Sequence, residues 1–576
     1  MRAAGTDFEN GFESITAALA RRGGDDRPAF TYWDYREPAG RQHTMSWADL
    51  DRRARAVAAR LSQVCGPGER VALVCPQNLE YVIGFAAALY AGMIAVPLYA
   101  PEVNAHGERL VGALADCDPQ VWLTSSAALP AVNQLRDNHP VPQPKQVIAV
   151  DEVAGGSAYE PVAADPEQPA YLQYTSGSTR RPAGAVITHR AVAANIAQAV
   201  AAFGITAGTT CVGWLPFFHD MGLIQHVCVP LAIGCRSAFS TPFDFVRRPA
   251  RWLTMLGSYP GVLTAAPNFA YDLAAARLTT ADRDGLDLSG VAVAINGSEP
   301  IRPGTLDRFL AATEPLGFPP RALRPSYGLA EATVLVSTTG PGELPAVTAF
   351  DREWLGAGTA VPLRPGADRA LPLVSAGVPA GQLVRIVDQV GRLLPAGSVG
   401  EIWLHGPNLA SGYWRQPERS AETFGARLSE VDGDLPAGGW LRTGDLGVWY
   451  GGQLYITGRL KDLIIVDGRN HYPQDIEATV EGAHPAIQQG RVAVFTVDDG
   501  EREELVVLAE TGQPAPRAYE LAEIGRAVRV AVSRHHDLRL QHFALVPPGG
   551  VVRTSSGKVA RAATRRRYLA GREDGS

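Results

Sequence analysis

Short apolar runs with strand spacing alternate with longer runs of helical spacing through most of the chain. Residues 70–75, 121–124, 146–150, 261–265 and 291–296 read as buried strands. Residues 191–203 repeat apolar positions at helical spacing. This alternation predicts layered α/β structure. One run, 82–100, carries no charge and is long enough to cross a bilayer. Gly92 and Pro97 divide it, so the expected elements are a buried helix over 82–91, a cap at Gly92 and a buried strand over 93–98.

The pattern changes near Gly458. Residues 400–404, 447–450 and 453–456 read as strands of β-hairpins. The charged segment Arg459-Leu460-Lys461-Asp462 follows, and the remainder has the length of one small α+β domain. The expected organisation is a large N-terminal domain over 1–458, built of α/β subdomains with a β-rich one. A hinge over 459–463, centred on Lys461, leads to a small mobile C-terminal lid over 464–576. A catalytic site is expected where lid and large domain meet.

The 576 residues carry a formal net charge of −6, with 46% hydrophobic and 19% charged residues, as expected of a multi-subdomain globular protein and not of a disordered one. That balance gives no reason to expect a nucleic-acid or anionic-membrane partner. The six cysteines form no CxxC pair, and scattered thiols fit a reducing cytoplasm. The first residues lack the apolar core of a signal peptide.

Chemistry first shows at Tyr171-Leu172-Gln173-Tyr174-Thr175-Ser176-Gly177-Ser178-Thr179. A short apolar strand runs into a loop of small hydroxyl residues and glycine. Such a loop can turn several N–H groups and hydroxyls toward one phosphate. Taken alone it is a common turn. Six further segments follow in order: Trp214-Leu215-Pro216-Phe217-Phe218-His219-Asp220-Met221-Gly222-Leu223, Asn296-Gly297-Ser298-Glu299-Pro300, Tyr327-Gly328-Leu329-Ala330-Glu331-Ala332-Thr333, Ser411-Gly412-Tyr413-Trp414, Arg442-Thr443-Gly444-Asp445, and Gly458 to Asp462. Thr554-Ser555-Ser556-Gly557-Lys558 closes the set.

This ordered set resembles the adenylate-forming superfamily of acyl-CoA synthetases, luciferases and adenylation domains, and within it the fatty acyl-AMP ligases. The resemblance implies a two-step reaction. A carboxylate attacks the α-phosphate of ATP, and a thiol then takes the acyl group. It implies that Thr175, Ser176, Gly177, Ser178 and Thr179 hold phosphates, and that Gly297, Ser298, Glu299, Tyr327, Gly328, Leu329 and Ala330 surround adenine. Glu331 would bind Mg²⁺, a hard ligand for a hard cation. Asp445 would accept both ribose hydroxyls, with Arg459 beside it. Lys558 would stabilise charge growing on the α-phosphate.

His219 would stand where the acyl and adenylate pockets meet. Phe217, Phe218, Met221, Pro267, Asn268 and Phe269 are the candidate acyl-binding residues. Arg180 and Ala183 stand where the superfamily usually has Gly and Lys, leaving Arg180 or Arg181 as replacement cations.

Residues 350–378 fall where fatty acyl-AMP ligases carry an insertion, thought to restrain the lid and disfavour CoA. The stretch from Ser240 to Trp252 resembles the same subfamily. These features favour a separate phosphopantetheinylated acyl carrier protein as acceptor, in polyketide, lipopeptide or complex-lipid synthesis. Arg561 and Arg565 to Arg567 could dock such a partner, or form a solvated helix face. The alternatives are a fatty acyl-CoA synthetase and a non-catalytic adenylate-binding protein.

Overall fold

The computed structural model describes residues 13–101, 107–155, 158–174, 182–431, 433–466, 469–498, 503–512, 517–554 and 558–573. The layered α/β expectation holds. A six-stranded sheet runs in the order Gln146–Ala149, Val121–Thr124, Arg70–Leu73, Ile94–Pro97, Pro169–Tyr174 and Gly184–Thr188. Its first five strands are parallel and the last is antiparallel. Strands 70–73, 94–97 and 121–124 are buried along nearly their whole length, as strands covered on both faces must be.

A nine-stranded sheet places Leu323–Gly328, Val291–Gly297, Val262–Pro267, Thr210–Gly213, Arg236–Phe239 and Pro28–Asp34 side by side and parallel. Carboxyl ends of parallel strands are where open α/β sheets gather ligands. The 82–100 run divides as expected, with edges shifted. The helix spans Leu79–Tyr90 because the Asn78 side chain caps it, accepting from the Tyr81 N–H at 3.2 Å. Gly92 follows at φ +66°, and the strand is Ile94–Pro97. Among the described residues no helix is long and apolar enough to cross a membrane.

Beyond these sheets, Leu383–Val387, Val399–His405, Leu441–Tyr450 and Gln453–Arg459 form an antiparallel four-stranded sheet. A 3₁₀ turn at Leu460–Asp462 leads out of it. After the turn, Ile487–Asp498, Glu503–Thr511 and His542–Val546 make a three-stranded sheet covered by helices Pro473–Ala483 and Ala518–His536. This region has its own cores. One gathers Ile476, Val480, Val494, Val507, Ile524 and Val528, and another gathers Phe495, Val506, Leu508 and Val551.

A bridging cluster of Phe350, Leu355, Leu446, Val448, Tyr455 and Tyr472 joins the two regions. Its members come from strands Val347–Asp351, Leu441–Tyr450 and Gln453–Arg459, the short helix Arg352–Gly356 and the stretch before Pro473. The 350–378 stretch, where the insertion is expected, therefore carries ordered elements.

Candidate active site

A cavity of about 1920 Å³ opens between the carboxyl ends of the nine-stranded sheet and the C-terminal region. Cavities for single small ligands run to about 300–1000 Å³, so this one has room for a nucleotide and an acyl chain together. Ser298, Glu299, Tyr327, Gly328, Asp445, Arg459, Lys461 and Lys558 line it. So do Phe218, His219, Asn268 and Phe269. With Tyr174 from the end of the strand before the hydroxyl-rich loop, the lining gathers residues from seven of the sequence motifs.

Local chain geometry sets the nucleotide end. A Cβ on Gly328 would lie 1.7 Å from the Val334 carbonyl oxygen, so only glycine allows the turn after Tyr327. Ser298 sits at φ +68°, a left-handed conformation costly for serine and frequent at functional sites. Tyr327 donates to Asp445 Oδ2 at 2.7 Å. Arg459 Nε donates to Asp445 Oδ1 at 2.8 Å. Both carboxylate oxygens are therefore engaged, and each keeps a lone pair for a ribose hydroxyl. The Asp445 charge beside Arg459 raises the guanidinium pKa further. Burial pushes the Tyr327 phenol well above its usual range, so it donates at neutral pH.

Lys558 lies at the base of a short hairpin. Its carbonyl accepts from the Thr554 N–H at 2.8 Å, and Arg553 pairs with Val559. Burial lowers the ammonium pKa, while Asp220 and Glu299 oppose that shift. Glu299 answers in the other direction, its carboxyl raised by burial. Its Oε1 accepts from the Phe269 N–H at 2.6 Å, at the first turn of helix Asn268–Arg277.

His219 Nδ1 lies 3.1 Å from Asp220 Oδ1, and its Nε2 has no partner among the described residues. Burial pushes the Asp220 carboxyl up, but His219 and Lys558 outweigh this and hold it below the ordinary carboxylate value. Asp220 belongs to the 214–223 motif and is a site residue that the motif alone does not single out. Its signal was its place next to His219.

Glu331 is off the cavity wall. Tyr413 donates to its Oε1 at 2.8 Å. Tyr413 belongs to the segment that pairs with strand Gly184–Thr188, the strand directly after the phosphate-type loop. That loop joins two antiparallel strands, with Tyr174 opposite Gly184. Thr175, Ser176, Gly177, Ser178 and Thr179, with Arg180 and Arg181, lie outside the described residues. One carboxylate with free acceptor capacity suits Mg²⁺, which needs few protein ligands beside phosphate and water oxygens. No group of three or more His, Cys, Asp or Glu in metal-binding proximity occurs among the described residues.

The acyl candidates separate. Phe218, Asn268 and Phe269 reach the cavity, Phe218 packing against Tyr99 with ring centroids 4.8 Å apart and planes tilted by 51°. Phe217 does not. It is 1% exposed and packs against Tyr81 and Phe239. Met221 and Pro267 also lie off the wall, Met221 packed on the neighbouring core and Pro267 closing its strand. Of the nucleotide candidates, Gly297, Leu329 and Ala330 support the wall without lining it. A Cβ on Gly297 would approach the Ser326 carbonyl to 2.8 Å.

Two family models match the chain. The AMP-binding enzyme family matches residues 17–414, and the Disco-interacting protein 2-like AMP domain matches residues 461–574. The chain is 44% identical to a long-chain-fatty-acid–AMP ligase, FadD26, of Mycobacterium marinum, over 97% of both chains. It is 43% identical to the long-chain-fatty-acid–AMP ligase FadD32 of Mycolicibacterium smegmatis, over 95% of this chain and 92% of that one. A chain solved in a study of fatty acyl-adenylate ligases from E. coli and L. pneumophila superposes with a TM-score of 0.86 at 32% identity, covering 100% of both chains. The sheet-end cavity with its Tyr327–Asp445–Arg459 cluster is thus set in a known framework, and the chain belongs to the adenylate-forming AMP-binding enzymes, among the fatty acyl-AMP ligases.

Proposed function

We propose that the protein activates a fatty acid with ATP and passes the acyl group to the phosphopantetheine thiol of a separate acyl carrier protein. In the first step a fatty-acid carboxylate oxygen attacks the α-phosphorus. The bond to the bridging oxygen breaks, and pyrophosphate leaves. In the second, the thiol sulfur attacks the acyl carbon, its proton is lost, and AMP leaves with the electrons of the C–O bond.

Asp445 and Arg459 fix the ribose, while Tyr327, Gly328, Ser298 and Glu299 bound adenine. Lys558 stabilises negative charge growing around the α-phosphorus, where a buried ammonium is worth more than one in water. His219, oriented by Asp220, faces the reacting carboxylate, and Phe218 and Phe269 line the acyl path. Glu331 would hold Mg²⁺, which supplies charge neutralisation on the phosphates. The division into 1–458, a hinge over 459–463 and a lid over 464–576 accounts for the separate cores on either side of the 3₁₀ turn. All six cysteines are buried and unbridged, which supports a reducing, cytoplasmic setting.

One observation favours a carrier protein over CoA. Strands Val347–Asp351 and Ala370–Val374, with helix Arg352–Gly356, tie the C-terminal region to the large domain. Arg352 donates to both carboxylate oxygens of Asp475, at 2.6 and 3.2 Å. It also reaches the His535 carbonyl at 3.2 Å. A lid held this way resists the movement that a bulky free CoA would need.

The deciding experiment offers purified protein ATP, Mg²⁺ and a pool of fatty acids, with CoA and a phosphopantetheinylated carrier protein side by side. Mass spectrometry should find acyl-AMP and acyl-carrier with little acyl-CoA. Abundant acyl-CoA would move the protein to the CoA synthetases.

A further inference from the structure

A chain of buried and half-buried charges leads from the large domain to Lys558. It starts at Arg302, the residue before helix Pro303–Thr313. Arg302 follows Glu299 by three positions, and its N–H donates to Asn268 Oδ1 at 3.3 Å. Its guanidinium pairs with Glu481 of the lid helix Pro473–Ala483. The Glu481 side chain is only 4% exposed, and it also accepts from the Gly490 N–H at 2.9 Å.

Four residues earlier on the same helix stands Glu477, hence on the same face. Arg561 grips Glu477 with two hydrogen bonds of 2.7 Å. Its third nitrogen reaches Asp462, beside Lys461 in the hinge, at 3.1 Å. Arg561 begins the helix three residues after Lys558, and the Ala560 N–H donates back to Val552 across the hairpin that carries Lys558.

We infer that Arg302 and Glu481 are positioning residues for the adenylation step: their pairing seats the lid so that Arg561 delivers Lys558 to the α-phosphate. The inference rests on the reading of Lys558 given above. Both residues line the cavity. The geometry of the pair matters because the Glu481 carboxylate is buried, at 4% exposure, and Arg302, itself 36% exposed, is the cation that compensates it. Removing Arg302 leaves the buried Glu481 carboxylate uncompensated, which weakens the seated arrangement more than loss of an exposed pair would.

The two half-reactions should respond differently. Forming acyl-AMP needs a cation against the charge developing at phosphorus. Attack of a thiol on a finished acyl-AMP does not need it, because the mixed anhydride is already activated. A purely structural defect would lower both rates together.

The test uses the full chain with dodecanoic acid as probe. Arg302→Glu, Glu481→Arg, the double reversal and Lys558→Ala are compared for pyrophosphate release and, separately, for transfer from synthetic dodecanoyl-AMP to pantetheine. Each single reversal should lower acyl-AMP formation at least tenfold. The double reversal should recover to within threefold of the parent, and transfer from dodecanoyl-AMP should change less than threefold throughout. Should a reversal fail to fold, Arg302→Gln and Glu481→Gln serve, with a threefold loss expected. Parallel loss of both half-reactions without rescue overturns the inference. So do wild-type adenylation rates in both single variants while Lys558→Ala is inactive. Normal adenylation by Lys558→Ala instead overturns the role given to the lysine.

Discussion

The Tyr327 phenol donates to Asp445 across 2.7 Å, joining the end of a parallel strand in one sheet to an antiparallel strand of another. The contact spans 118 positions of sequence and closes the nucleotide end of the cavity. It also keeps the Asp445 carboxylate in place before any ribose arrives.

Asp445→Ala should therefore act on ATP and not on the fatty acid. Hydrogen bonds to a charged group are worth about 1.5–3 kcal/mol each. Loss of the carboxylate is expected to raise KM for ATP at least tenfold, with KM for the fatty acid within threefold of the parent. Tyr327→Phe keeps the ring and removes one bond of preorganisation, so a smaller rise of roughly two- to tenfold is expected. Initial rates against ATP at saturating acid measure both. An equal rise for both substrates would remove Asp445 from the ribose role.

The pH dependence of adenylation follows from Lys558. Burial lowers its pKa below that of an ordinary lysine. The step needs the ammonium, which is lost as pH rises through that lowered value. The rate of acyl-AMP formation should thus fall on the alkaline side at a pH below that at which an exposed lysine deprotonates, near 10.4. Lys558→Arg keeps its charge across the whole range, so whatever activity it retains should lack that alkaline limb. A limb unchanged in Lys558→Arg would assign it to another group. The profile is read from pyrophosphate release over about pH 7 to 10.

The lid tether makes a prediction about acceptor choice. Arg352 holds Asp475, and Tyr472 packs with Phe350 and Leu355 in one cluster. Arg352→Ala removes the ion pair and leaves the strand pair Val347–Asp351 with Ala370–Val374 intact. Acyl-CoA formation should rise at least threefold while carrier loading falls or stays level, as measured by mass spectrometry with both thiols present. Unchanged acyl-CoA output from a folded Arg352→Ala would take the tether out of acceptor selection.

The sequence made the fold legible wherever an apolar run was punctuated by a specific cap. The helix His189–Phe203 begins where Thr188 accepts from the Ala191 N–H and ends at Gly204 with φ +66°. Both signals are local. The contacts that organise the site are not local. Arg302 meets Glu481 across 179 positions, and Arg352 meets Asp475 across 123. No periodicity reports such pairs. Arg561 illustrates the gap. As part of a basic run it reads as a docking or solvated charge, yet Glu477 of the lid and Asp462 of the hinge engage it. Of the remaining arginines of that run, Arg565 and Arg567 turn back onto the Thr496 and Gly549 carbonyls, and the exposed Arg566 lines the cavity.

Adjacent aromatics give the sharpest test of where sequence reading stops. Phe217 and Phe218 share a motif, and both are apolar candidates for the acyl path. Phe217 turns into the core, with ring centroids 4.8 Å from Phe239 and 5.5 Å from Tyr81. Phe218 turns into the cavity against Tyr99. Phe217→Ala should cost about 3–5 kcal/mol of stability, the range for emptying a buried phenylalanine site. Phe218→Ala removes a ring whose far side is open, so its unfolding midpoint should move much less. Its effect should fall on the acid instead, shifting relative kcat/KM among fatty acids of different length. Denaturant unfolding and competition among a mixed acid pool read the two effects independently. A Phe218→Ala variant as destabilised as Phe217→Ala, with unchanged chain-length preference, would place both rings in the core and leave the acyl path to Phe269 and its neighbours.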